Sequence, residues 1–155
     1  MDTATKCTVL IVDDNIMSMK LLAKFVVEAR HKVVTALSGA EALMLLRYIR
    51  PDLILLKVGL LEMDGFEVVR CLRKMPGLAL TPVLFICRSV EEFDRCVLVT
   101  ESADVITRPY DPAIVKLQLL QYLKHRVVPH VAEAVDCVEE LVVTKAAPPG
   151  LEGAA

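Results

Sequence analysis

Four apolar runs in this chain stop at residues that could do chemistry. Residues 8–12 lead to two adjacent carboxylates, Asp13 and Asp14. Residues 53–56 lead to Lys57, residues 83–86 to Cys87, and a shorter run over 103–107 to Arg108. If the four ends meet, two carboxylates face two cations and the formal charges cancel. Lys57 then has reason to pair with Asp13 or Asp14 rather than stretch out to solvent. Cys87, set beside those cations, could carry a lowered pKa and react as a thiolate; filling a small niche is its plainer role. Asp13 and Asp14 could cap a helix and do nothing more. A second carboxylate, however, has no capping duty.

The elements that must position these residues alternate along the chain. Leu53 to Leu56 is a continuous apolar run bounded by Pro51 and a Gly-containing loop, the pattern of a strand buried on both faces of a parallel sheet. Residues 8–12 make a first strand, followed by a helix N-cap at Asp14 or Asn15. In the helix that follows, Leu22, Phe25, Val26 and Ala29 share an inward face opposite Lys20, Lys24 and Glu28. Residues 31–36 make a second strand. Ser38 caps a second helix with Ala42, Leu45, Leu46 and Ile49 inward and Glu41 and Arg47 outward, ended by Pro51. A third strand spans 52–57 and a third helix 66–75, closed by Pro76-Gly77. Then come a fourth strand (82–87), a fourth helix (90–99), a fifth strand (103–107) and a fifth helix from Asp111-Pro112 to residue 124. Five alternations of strand and helix predict an α/β doubly wound domain. In the flavodoxin-like order 2-1-3-4-5, five parallel strands carry five flanking helices, and the four chemical loops converge at one sheet edge.

Composition narrows the function classes. A length of 155 residues suits one domain, assigned to residues 7–125. Residues 126–145 read as a short amphipathic C-terminal helix, with Val131, Val135, Val138 and Val142 along one stripe and Glu133, Asp136, Glu139 and Glu140 around it. Such a helix is too short to persist alone in water, so it must dock on its own domain or on another chain. Residues 146–155, rich in Ala, Pro and Gly, read as a disordered tail. A net charge of −2 gives no electrostatic case for nucleic acid or an anionic membrane, and no apolar run approaches the ~18 residues of a membrane span. Five cysteines without a CxxC pair point to free thiols in a reducing cytoplasm.

Five pieces of the sequence carry a resemblance. They are Ile11-Val12-Asp13-Asp14-Asn15, Pro51-Asp52-Leu53-Ile54-Leu55-Leu56, Met63-Asp64-Gly65, Pro82-Val83 and Arg108-Pro109-Tyr110-Asp111-Pro112. In that order, over residues 7–125, the chain resembles the receiver domain of response regulators in two-component signal transduction. The resemblance implies a pocket in which an acidic pair and a phosphoacceptor aspartate bind Mg²⁺, helped by a backbone carbonyl where Gly59 stands. A Thr or Ser on strand four and a Lys on strand five would contact the phosphoryl group. Only Asp13 and Asp14 keep the pattern. The acceptor position holds Lys57, the hydroxyl position Cys87, and the strand-five cation is Arg108, followed by Pro109. The switch aromatic falls at Val105 and the usual loop proline at Leu61.

An ammonium cannot form an acyl phosphate, and a fixed cation repels Mg²⁺, which wants carboxylate and carbonyl oxygens. Lys57 reads as a tethered replacement for the metal. The expectation is therefore a stand-alone, degenerate pseudo-receiver with no cofactor and no enzymatic activity. It would act through phosphorylation-independent protein–protein interaction in a phosphorelay or related pathway. Its partners would be a histidine kinase or another regulator, with a homodimer open as well. The family's docking face would fall on residues 90–99, 105–107 and 114–124. Two rival readings are a thiol redox sensor using Cys87 and a response regulator phosphorylated at a displaced acceptor.

Overall fold

The computed structural model describes residues 6–89, 91, 92, 94 and 105–123. Its elements are β1 (Thr8–Val12), α1 (Ile16–Glu28), β2 (Lys32–Ala36), α2 (Gly39–Leu45), β3 (Leu53–Lys57), α3 (Gly65–Leu72), β4 (Val83–Cys87), β5 (Val105–Thr107) and α4 (Pro112–Leu123). The strands form one sheet in the order β2-β1-β3-β4-β5, and every neighbouring pair is parallel. This is the flavodoxin-like architecture expected from the alternation.

Side chains on a strand alternate between faces, and the core divides accordingly. Leu10, Val12, Ile54, Leu56, Phe85 and Cys87 face α2 and α3, meeting Leu45, Leu46, Phe66 and Leu72. Val9, Ile11, Leu53, Leu55, Leu84 and Ile86 face α1 and α4, meeting Met19, Leu22, Phe25, Val115 and Leu119. Because both faces are covered, β1, β3 and β4 need apolar residues at consecutive positions. That is why they read as unbroken apolar runs.

The helix ends depend on side-chain caps. Asn15, not Asp14, caps α1, its side chain accepting from the Ser18 N–H. Asp64 caps α3 through the Glu67 N–H, and Ser38 caps α2 through the Glu41 N–H. The Glu41 carboxylate turns back to accept from the Leu37 N–H at 2.7 Å, so this residue belongs to the cap rather than to a solvent-facing stripe. The carboxyl ends of α1, α2 and α3 differ from the sequence reading. Ala29 is the C-cap of α1 and only half-buried; Met19 takes the inward place instead. Helix α2 ends at Leu45 and α3 at Leu72, with tighter turns carrying the chain on through 48 and 75. The expected fourth helix lies outside the described residues except for helical positions 91, 92 and 94. Residues 103–104, Cys96, Cys137 and the segments 126–145 and 146–155 also lie outside them.

Candidate functional site at the carboxyl edge of the sheet

Parallel strands bring β1, β3 and β4 to one edge in register: Val12 pairs with Leu56, and Lys57 with Ile86. The residues at or just past the strand ends therefore meet, and Asp13, Asp14, Lys57 and Arg108 come together.

Asp13 is fully buried. Its Oδ1 accepts from the Asn15 N–H at 2.9 Å and lies 3.9 Å from Lys57 Nζ. Its Oδ2 lies 3.9 Å from Arg108 Nη2, beyond hydrogen-bond length. Neither that oxygen nor Arg108 Nε and Nη2 has a hydrogen-bond partner among the described residues. The closest pairing in the cluster is Lys57 with Asp14: Nζ donates to Oδ1 at 2.7 Å. Burial alone would raise the Asp14 pKa. The hydrogen bond and charge of Lys57 outweigh it and hold the carboxyl below its ordinary 3.8. The Lys57 side chain retains 13% exposure, so its four-carbon stem is sheltered while its head closes the pocket.

The loop after β3 is fastened to the same cluster. Leu61 N–H donates to Asp14 Oδ2 at 3.2 Å, and Gly65 N–H donates to Val58 O at 2.9 Å. A Cβ at position 65 would stand 2.6 Å from the Lys57 carbonyl oxygen. Only glycine lets α3 start this close to the end of β3. Within the loop Glu62 adopts a left-handed backbone, φ 69°.

Cys87 reaches the site through its backbone, its carbonyl accepting from the Arg108 N–H at 3.1 Å, whereas Val105 stands at the start of β5. Cys87 is fully buried within the apolar cluster on the α2–α3 side, and a thiol there is closed to bulky oxidants and partners. Val105 starts β5, half-buried against that cluster, and its carbonyl accepts from Gln118 Nε2 at 2.9 Å. Pro109 follows Arg108 through a cis peptide bond.

Two contacts at the site were not anticipated from the sequence. The Tyr110 and Ser18 hydroxyls are 2.6 Å apart, tying the β5–α4 loop to the first turn of α1. Burial raises the phenol's pKa above its ordinary 10, so Tyr110 is a neutral hydroxyl at physiological pH. An aromatic residue with a polar tip beside the pocket is the kind of signal that calls for a partner. Its partner, 92 residues away, carries no local mark. The Glu92 carboxylate also reaches the β3–α3 loop: it accepts from the Arg88 N–H at 2.8 Å and lies 3.4 Å from where a Cβ on Gly59 would stand.

A five-stranded parallel sheet with an acidic pair and a basic partner at its switch point defines a receiver-type signalling domain. The family model for the response regulator receiver domain matches residues 9–120, and the chain belongs to that family. The alkaline phosphatase synthesis transcriptional regulatory protein PhoP of Bacillus subtilis is 33% identical over 117 residues, covering 75% of this chain and 48% of that protein. An uncharacterized 14.6 kDa protein of Leptolyngbya boryana is 34% identical over 114 residues, covering 72% of this chain and 86% of its own length. Among solved structures, the chemotaxis protein CheY4 of Vibrio cholerae superposes with a TM-score of 0.67 at 29% identity, covering 77% of this chain and 99% of that one. The chain thus spans about half the length of the PhoP relative and nearly all of the smaller proteins. No helix among the described residues is long and apolar enough to cross a membrane.

Proposed function

We propose that this receiver domain is a pseudo-receiver, a cytoplasmic protein-interaction module that signals without being phosphorylated. The observation that carries the reading is Lys57 Nζ, 2.7 Å from Asp14 and 3.9 Å from Asp13. The ammonium occupies the coordination space that the acidic pair would offer a metal ion. Mg²⁺ demands an octahedron of oxygens at about 2.0–2.1 Å, and a donor set with a tethered cation at its centre does not suit it. With Lys57 and Arg108 present, the two carboxylates are already neutralised, so a divalent ion would add uncompensated positive charge. An ammonium also lacks the carboxylate oxygen on which an acyl phosphate would form. We therefore assign the pocket no cofactor, no catalytic step and no phosphoacceptor. Its role is to hold the loops after β1, β3 and β5 in one arrangement that a histidine kinase or another regulator reads by contact. The burial of Cys87 favours this reading over a thiol sensor.

The test is intact-protein mass spectrometry after incubation with acetyl phosphate and Mg²⁺. The unmodified mass is expected throughout, and Lys57→Asp should gain at most a weak adduct because Cys87 and Arg108 remain. A stable, Mg²⁺-dependent phosphoryl adduct on an aspartate of the unaltered chain would replace this reading with a displaced acceptor.

A further inference from the structure

Helices α1 and α4 leave an apolar furrow between them at the surface. Leu21 and Glu28 are seven residues apart and so lie on one line of α1, with Met17 one turn before Leu21. Glu28 reaches Lys116 of α4 at 3.7 Å, which places that line beside α4. Lys116 and Leu120 share the facing line of α4, with Leu117 next to it. Met17 is 77% exposed, Leu21 42%, Leu117 64% and Leu120 57%. Large apolar side chains gathered along one seam mark a surface that something covers. The rim is basic: Lys20 and Lys24 stand exposed on α1 beside Met17 and Leu21.

We infer that the furrow is covered in cis by residues 131–142 of the same chain, laid antiparallel to α4 as an amphipathic helix. Three observations select this occupant. The chain continues 32 residues past Leu123, since 155 less 123 is 32, so the occupant is tethered beside the furrow. The seven residues 124–130 can reach about 25 Å when extended, more than the roughly 18 Å length of the twelve-residue α4. They also fall within the two to eight residues usual between packed helices. The segment's own pattern fits the furrow. Val131, Val135, Val138 and Val142 recur at steps of four, three and four, the seam by which one helix packs along others. The flanking Glu133, Asp136, Glu139 and Glu140 bring four negative charges to a rim where Lys20 and Lys24 stand exposed and Lys116 is already paired with Glu28. Tethering makes this occupant effectively concentrated, at a millimolar level or above for a short linker, well ahead of a second copy at ordinary protein concentrations.

Hydrogen exchange of the full chain, with sedimentation at the same concentrations, tests the inference. Amides of 131–142 should exchange about tenfold or more slower than an unstructured chain, at every concentration, in a monomer. Leu21→Glu with Leu120→Glu should abolish that protection, as should Val135→Asp with Val138→Asp. Lys24→Glu, at an exposed position that cannot unfold the core, should reduce the protection several-fold, and Lys24→Arg should restore it. Protection that survives the Leu21 and Leu120 changes would overturn the inference by moving the segment elsewhere. Protection that appears only as a dimer forms would assign the furrow to a second copy. Exchange at the unstructured rate in the unaltered chain would leave the segment undocked and the inference wrong.

Discussion

The two edges of the sheet each bury a carboxylate, and they satisfy it in opposite ways. At the amino edge Asp52 Oδ2 accepts from the Thr8 N–H at 2.9 Å, while Asp52 N–H donates to Thr8 O at 2.8 Å. Next to it, His31 Nδ1 accepts from the Cys7 N–H at 3.1 Å, and Lys32 N–H donates to Cys7 O at 2.8 Å. Each side chain there completes a strand ladder, taking a backbone donor that would otherwise end unpaired. At the carboxyl edge, side-chain charges from three segments face one another, and Asp13 Oδ2 and Arg108 Nη2 stay 3.9 Å apart without a hydrogen bond. Backbone donors belong to the fold, so the amino edge is fixed by folding. The carboxyl edge is balanced by side chains that can be exchanged without altering the sheet. Its chemistry can therefore change while the architecture stays.

The largest effect should come from removing the cation at that second edge. Lys57→Ala leaves the Asp13 and Asp14 carboxylates side by side in a sheltered pocket. Breaking a buried pair costs on the order of 3–5 kcal/mol, and the partial exposure of Lys57 and Asp14 brings the expected loss to about 3. The urea midpoint should fall with the slope unchanged, and Lys57→Asp with Mg²⁺ present should lose less. An unchanged midpoint for Lys57→Ala would make Lys57 a solvated side chain and erase the contrast between the edges.

At the amino edge the expected penalty is smaller and is set by a hydrogen bond. Asp52→Ala strands the Thr8 N–H between β1 and β3, costing about 1–3 kcal/mol. Asp52→Asn keeps an acceptor in place and should recover the part of that loss that comes from the Thr8 bond. A comparable rescue by Asp13→Asn is not expected, because Asp13 faces Lys57 and Arg108 and its Oδ2 accepts no hydrogen bond. If both asparagine variants behave alike, the two edges are held by the same force.

The edges should also lose stability in different pH windows. Burial lowers the His31 pKa below its ordinary 6.5, despite the opposing charge of Asp52. Between those two values the unfolded chain binds the extra proton. Stability therefore falls as pH drops through 6.5 and stops falling below the folded pKa. Asp14 has a folded pKa below 3.8, so its contribution is complete above 3.8 and disappears as pH falls through the folded value. His31→Asn, which keeps an acceptor but cannot titrate, should flatten the curve near neutrality and leave the acid limb. Lys57→Met should do the reverse. Urea unfolding at half-unit steps of pH separates the two limbs, and a neutral limb that survives His31→Asn would assign it to another group.

What could be read in advance follows the same division. The sheet was legible because Leu53, Ile54, Leu55 and Leu56, alternating between the two covered faces, must be apolar at consecutive strand positions, and that need is written locally. The membership of the site was legible for a related reason: parallel strands deliver their last residues to one edge, so Asp13, Lys57 and Arg108 had to approach. Its finer geometry was not. Whether Lys57 leans toward Asp14 or Asp13 depends on the Leu61 N–H and on the close approach at Gly65, which are properties of a loop path. The Glu41 cap is written in the three-residue spacing of Ser38 and Glu41, a signal that helical amphipathicity alone does not show. The Asp52 bond carried no signal beyond a polar residue at a strand's start.

The smallest expected effect concerns the Tyr110–Ser18 tie, which closes the carboxyl edge with a neutral hydrogen bond beside the ion cluster. The two hydroxyls meet at 2.6 Å across 92 residues, and a neutral hydrogen bond of this kind contributes about 0.5–1.5 kcal/mol net. Tyr110→Phe keeps the ring's packing and removes the hydroxyl, which faces Arg108 as well as Ser18. Ser18→Ala removes the bond from the other side, at an α1 position whose Asn15 cap uses the Ser18 N–H and not the hydroxyl. The double variant should then cost scarcely more than Tyr110→Phe alone, because Ser18→Ala deletes a bond that Tyr110→Phe has already removed. Thermal melts of the four proteins close this cycle. If the two costs simply add, each hydroxyl serves a different partner, and the β5–α4 loop is held over the pocket by Arg108 and its charge rather than by Tyr110. The carboxyl edge would then depend on electrostatics alone, and its loops should loosen with rising salt far more than the amino edge does.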